Sequence, residues 1–143
     1  METATDATNA MNAPDAAGAM EEFTGRLSED FHFHLYFSAD TRGSALAIRE
    51  RLKQVIDFEY DLPPVRETPV GPHRWPIWSL WVDRANFAAA TLWMMRNHGQ
   101  HSVLVHPNID DGLLDHTEHA MWLGKPQPLN LDVFRDENGQ GNG

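Results

Sequence analysis

The chain contains no cysteine, which removes disulfide staples and thiolate chemistry, nucleophilic or metal-binding, and fits a cytoplasmic location. It also lacks any apolar run near the roughly 20 residues needed to span a bilayer, so no membrane partner is expected. Basic residues are few, 11 against 21 acidic ones, for a formal net charge of −10. Phosphate backbones demand a basic surface, and nucleic acid is therefore excluded as a partner. The opening "METATDATNAMNAPDAAGAMEE" has neither a basic start nor an apolar stretch, so a secretory signal is not expected there.

What remains is ordinary for one globular domain: 143 residues, 41% hydrophobic and 22% charged, with five tryptophans and eight histidines. Residues 1–24 read as a disordered leader, 25–134 as the domain and 135–143 as a flexible polar tail. "FHFHLYF", Phe31 to Phe37, alternates strictly. In a strand this sends Phe31, Phe33, Leu35 and Phe37 to a core face and His32, His34 and Tyr36 to the other. A helix over about 43–56 follows, capped by Ser38 or Asp40, with Leu46, Ile48, Leu52, Val55 and Ile56 as its apolar stripe. "FEYDLPPV" reads as a strand broken by Pro63-Pro64, "IWSLWV" as another, and Asp83 as the cap of a helix over about 85–97 stopped at Gly99. "SVLVH" is a further strand, followed by loop and a short helix ending at Gly124.

The order β-α-β-β-α-β is the ferredoxin-like plan, an α+β fold. It predicts a four-stranded antiparallel sheet with two helices on one face. A C-terminal extension, a second subunit or a ligand must cover the other. In that plan "FHFHLYF" and "SVLVH" are neighbours, so His34 and His106 can approach each other. His73 arrives on the loop "PVGPHRW", stiffened by prolines. Three converging imidazoles suit a divalent transition metal. For any one of them, a hydrogen-bonded, partly buried histidine is the bland reading. His116 and His119, three apart, are expected on one helical face, and His98 and His101 at the surface. Asp110, Asp111 and Asp115 are candidate carboxylate ligands or loop-capping residues, and Asp115 can alternatively orient His116. Arg66 and Arg74 bracket the loop and are candidates to hold a substrate carboxylate, or to form surface ion pairs. Trp78 is expected in the core and Trp75 along a cleft.

The pieces His32-x-His34, "PVGPH", "LVHPN" and "DH" followed by "WLG" stand in an order that resembles the small DOPA 4,5-dioxygenase family, over residues 30 to 134. The resemblance implies a ferredoxin-like fold, often dimeric, and extradiol cleavage of a catechol such as L-DOPA with O₂ and non-haem Fe(II). It maps His32, His34, His73, His106 and His116 onto the shared histidines. On this mapping His34, His73 and His106 are expected as metal ligands, and His32 and His116 in proton transfer and substrate contact. Arg74 stands where the family usually has proline, and "IDDG" where it has Thr-Gly-Asp. Zinc or another divalent metal is an alternative load. Two other readings stay open: a zinc-dependent hydrolase, and a non-catalytic ferredoxin-like module. A homodimer is expected, with its interface shielding part of the histidine face.

Overall fold

The structure is a computed structural model, and residues 29–109 and 111–135 are described. The leader expected over 1–24, and all of the expected tail but Arg135, lie outside them, as does Asp110.

Strand β1, Asp30–Tyr36, is the centre of the sheet. Helix α1 spans Arg42–Val55, strand β2 Ile77–Asp83, helix α2 Phe87–Asn97 and strand β3 Val103–Pro107. A five-residue helix α3, Gly112–His116, and a short strand β4, Met121–Leu123, complete the set. The sheet order is β2-β1-β3-β4, with every pair antiparallel. The four-stranded antiparallel α+β sheet with helices read from the sequence is thus present, with β1 between β2 and β3.

Two local expectations are corrected. "FEYDLPPV" forms no strand: isolated bridges to β2 fall at Asp61↔Trp81 and, just past the stretch, at Arg66↔Ile77. Between these bridges lie Pro63 and Pro64, which have no N–H to give to a ladder. The fourth strand comes instead from the C-terminal extension, where Gly124 at φ 78° turns the chain after β4. Helix α1 starts after Thr41, with no side-chain cap bond from Ser38 or Asp40. Asp83 does cap, accepting from Asn86 N, but on a 3₁₀ turn, Arg84–Asn86, that leads into α2.

Phe33 and Leu35 from β1, Trp78 and Leu80 from β2, and Val103 and Val105 from β3 pack against Ala45, Ile48 and Leu52 of α1 and Ala90 and Met94 of α2. This is the core face. Trp78 is fully buried there, and its Nε1–H donates to the Ala45 carbonyl at 2.8 Å, tying α1 to the sheet. On the opposite face Tyr36, Ile77 and Leu104 pack under Ala120, Trp122 and Leu129. The C-terminal extension therefore covers part of the histidine face.

Because Phe33 is fully buried at the sheet centre, Phe33→Ala should cost about 3–5 kcal/mol of folding stability. Urea unfolding followed by tryptophan fluorescence reads this, and a loss below about 1 kcal/mol would place the core elsewhere.

Candidate functional site

The period-two geometry of β1 puts His32, His34 and Tyr36 on the face away from α1 and α2. Register then selects their neighbours: Trp81 and His106 flank His32, and Ser79 and Leu104 flank His34. His73 comes in on a turn in which Gly71 has φ 58° and His73 N donates to the Val70 carbonyl. The C-terminal segment holds that turn, with Asn130 N donating to the Pro72 carbonyl at 2.7 Å. His116 is the last residue of α3, a helix capped by the Asp111 carboxylate accepting from Leu114 N, and Phe134 lies against its ring.

Five imidazoles meet. His34 has His73, His106, His32 and His116 around it, at ring-centre separations of 4.4, 5.0, 5.8 and 6.4 Å. All but His32 are at most 7% exposed. His32 stacks on Trp81 and has its Nε2 3.4 Å from Asp30 Oδ2.

Hydrogen bonds fix several proton positions. A ring nitrogen facing a carbonyl must carry hydrogen. His106 Nδ1–H donates to the Pro107 carbonyl at 2.6 Å, and His116 Nδ1–H to that of Gly112 at 2.7 Å. In the neutral rings both Nε2 atoms are therefore lone pairs. His34 Nε2 lies 3.0 Å from His106 Nε2 and donates to it in the metal-free rings, with Ser79 Oγ 2.7 Å from His34 Nδ1; the hydroxyl can equally accept from Nδ1–H, which would free Nε2 for a metal. His116 Nε2 is buried and has no hydrogen-bond partner among the described residues.

Burial keeps the rings neutral. It holds His34 well below the usual imidazole value, with the surrounding His73 and His106 adding to the effect. Burial, with His116 second, pushes His73 down to about 3 and His106 to about 2. His116 and His32 are lowered by burial too, the latter partly offset by Asp30.

Neutral, deprotonated nitrogens on one point are what a transition metal requires. Two sets of three bring ligand nitrogens within 4.8 Å of one another: His32, His34 and His106, and His34, His73 and His116. His34 belongs to both. The bare, buried Nε2 of His116 is left for a cation or for the proton of a group bound beside one, so these residues fit a metal. Neither set contains a carboxylate. Asp111 is used as a helix cap, and Asp115 accepts from Ile109 N at 2.9 Å with His119 Nδ1 3.8 Å away, so it does not orient His116.

Residues 31–133 match the model of the Dopa 4,5-dioxygenase family. The chain belongs to that family. A DOPA 4,5-dioxygenase of Amanita muscaria is 36% identical over 110 residues, 72% of this chain and 48% of that protein. The chain thus matches about half the length of that relative. An uncharacterized 21.2 kDa protein of Botryotinia fuckeliana is 31% identical over 134 residues, 80% of this chain and 70% of its own. The crystal structure of a candidate dioxygenase from Nostoc punctiforme superposes with TM-score 0.72 at 32% identity, covering 77% of this chain and 94% of that one.

The five histidines that the family resemblance singles out are brought together. The two arginines are not buried among them. Both are exposed; Arg74 Nη2 reaches the Leu129 carbonyl at 3.4 Å, and Arg66 pairs through its backbone with Ile77. His119 lies beyond the end of α3 and is half-exposed. His101, expected at the surface, is buried, its Nδ1–H donating to the Tyr36 carbonyl and its Nε2 3.0 Å from Ser44 Oγ. Sequence reasoning missed Ser79 and Trp81 as partners of the histidines, and gave Tyr36 no role. Ile77, Ser79 and Trp81 share a face by alternation in "IWSLWV", which is the signal that identifies them once the register with β1 is known.

The lowered values set a pH dependence. Below about pH 6.5, the ordinary value, the unfolded imidazoles bind protons that the folded ones do not. Stability is therefore complete above that pH and lost as pH falls toward the folded values, by up to about 1.4 kcal/mol per pH unit for each buried ring. Chelator-treated protein should show a thermal midpoint falling steeply from about pH 7 to 5. A flat profile would mean that the rings take up protons in the folded state.

Proposed function

We propose that this chain is a non-haem Fe(II) extradiol dioxygenase that opens the ring of a catechol, L-DOPA or a related dihydroxyphenyl acid, with O₂. The observation that carries the reading is the buried all-imidazole cluster, in a chain of the Dopa 4,5-dioxygenase family. A bound iron would supply the Lewis-acid and oxygen-activating chemistry of extradiol cleavage. The protein then needs about three ligands on one side and proton-handling groups on the other. His34 and His106, whose Nε2 atoms are 3.0 Å apart, are proposed as two of the ligands. Of the set expected from the sequence, His73 falls in the other triplet, with His34 and His116, and His32 completes a compact triplet with these two.

The donors are neutral, so the divalent charge is left for deprotonated substrate oxygens to offset. That favours a catecholate over a neutral ligand. His116 has its Nδ1–H fixed on Gly112 and presents a lone pair, so it can accept a proton from a substrate hydroxyl. Trp81, stacked on His32 and partly exposed, offers an aromatic face at the margin of the cluster. Arg66 and Arg74 remain proposed contacts for the substrate's carboxylate, reached from the exposed rim. A homodimer and a cytoplasmic location are also part of the proposal. The first rests on the expectation that a second subunit shields what the C-terminal extension leaves open of the histidine face, the second on the absence of cysteine.

The reading is tested by anaerobic reconstitution with Fe(II), followed by O₂ and a panel of L-DOPA, caffeate, protocatechuate and catechol. A yellow ring-opened semialdehyde from at least one is expected. A colourless panel from iron-loaded protein would overturn it, and hydrolysis with zinc alone would favour the hydrolase. Because His34 belongs to both three-imidazole sets, His34→Ala should weaken metal binding by more than the about 10–100-fold typical of losing a residue that merely orients a ligand. Chelator competition measures this. Affinity within threefold of the parent would move the site away from His34.

A further inference from the structure

Outside the two three-imidazole sets, a further histidine stands in the geometry of a general base. His101 is 3% exposed, and its Nδ1 lies 3.0 Å from the Tyr36 carbonyl. A carbonyl only accepts, so Nδ1 carries the hydrogen of the neutral ring. Burial lowers the ring's pKa, which keeps it neutral at pH 7. Its Nε2 is then a lone pair, and Ser44 Oγ–H donates to it at 3.0 Å. Hydroxyl, imidazole and orienting acceptor follow one another in the order that activates a serine.

The pair borders a cavity of about 200 Å³, whose walls include Ser38, Thr41, Trp75, Gln100, His101 and Gln127. No Asp, Glu, Lys or Arg side chain lines it. Thr41 stands one helical turn before Ser44, on the same side of α1, which sets the Ser44 hydroxyl at the cavity's edge. Ser44 is itself exposed. The space beside Gly43 is open, with no atom within 4 Å of where a Cβ would stand. The N–H groups of Gly43 and Ser44 precede the first bond of α1, from Ala45 N to the Thr41 carbonyl, and so have no acceptor within the helix. They are donors for an oxygen that gains charge next to Ser44 Oγ. Trp75, 41% exposed, offers a face to an aromatic group. An uncharged lining and one aromatic wall select an uncharged ester with a single ring.

We propose that Ser44 and His101 form a second, metal-independent site that hydrolyses small uncharged aryl esters. Ser44 Oγ attacks the ester carbonyl carbon as its proton passes to His101 Nε2. The carbon–oxygen bond to the leaving alcohol breaks, and that alcohol takes the proton from His101. Water, deprotonated by the same nitrogen, then splits the acyl–Ser44 ester, which returns the serine and releases the acid. The inference is independent of the dioxygenase reading, because none of these groups belongs to either three-imidazole set.

The full chain is tested with p-nitrophenyl acetate and with a biotinylated fluorophosphonate, both as purified and after chelator treatment. The fluorophosphonate should label one serine per chain, mapped to Ser44 by peptide mass spectrometry. Labelling elsewhere, or none, would overturn the proposal, and this readout needs no variant to fold. Release of p-nitrophenolate should fall by about 10²–10⁴-fold in Ser44→Ala and in His101→Gln, and be unchanged by the chelator and in His106→Ala. Loss of turnover on chelation would assign the hydrolysis to a bound metal and refute the pair. If the Ser44–His101 bond only ties α1 to the turn before β3, Ser44→Ala would lower the thermal midpoint and leave turnover at the parent rate. That result, too, would overturn the proposal.

Discussion

Everything in this molecule depends on the alternation of one strand. β1 is paired on both sides, so its two faces cannot exchange without breaking two ladders at once. One face carries Phe33 and Leu35 into the layer between sheet and helices; the other carries His32, His34 and Tyr36 to the cluster. The apolar face is what makes the polar face affordable. Five imidazoles that lose hydration gain little stability themselves, and their desolvation is offset by the packing on the far side of the same strand. Core and site are two readouts of a single register.

The part of this arrangement that is local was legible in the sequence. Strict alternation gave the two faces of β1, and the strand preceding Pro107 placed His106 beside it. What the sequence left open were relations between segments. "IWSLWV" shows that Ser79 and Trp81 share a face, but only the pairing His34↔Ser79 and His32↔Trp81 turns them into partners of particular rings. "FEYDLPPV" carries strand-forming residues, and its two prolines interrupt the hydrogen bonding that a strand needs. His101 looks like a turn residue because its neighbours are polar. Its burial comes from Ser44 and the Tyr36 carbonyl, 57 and 65 residues away. The covering of the histidine face by Leu129 depends on where the chain goes after Gly124, whose φ of 78° is a property of that turn.

The anchors of the five rings fall into two kinds. His106 and His116 are held by main-chain carbonyls, whose acceptor character no substitution removes. His32, His34 and His73 lean on the side chains of Asp30, Ser79 and Tyr36. A carboxylate, an aliphatic hydroxyl and a phenol differ in charge and in their ability to give a proton. The second kind is therefore where the chemistry of such a cluster is adjustable with the backbone unchanged.

The contact between His34 and His106 closes a span of 72 residues. Such a contact cannot form early: the entropy of bringing distant segments together is spent first, and only the assembled central strands return it. In kinetic terms the cluster belongs to the late side of the folding barrier, and no fragment stopping short of β3 contains both rings. An ion that recognises the cluster meets a chain whose sheet is already built. Loading then acts as a lock on the finished fold, slowing its unfolding, and not as a template that guides the chain toward it.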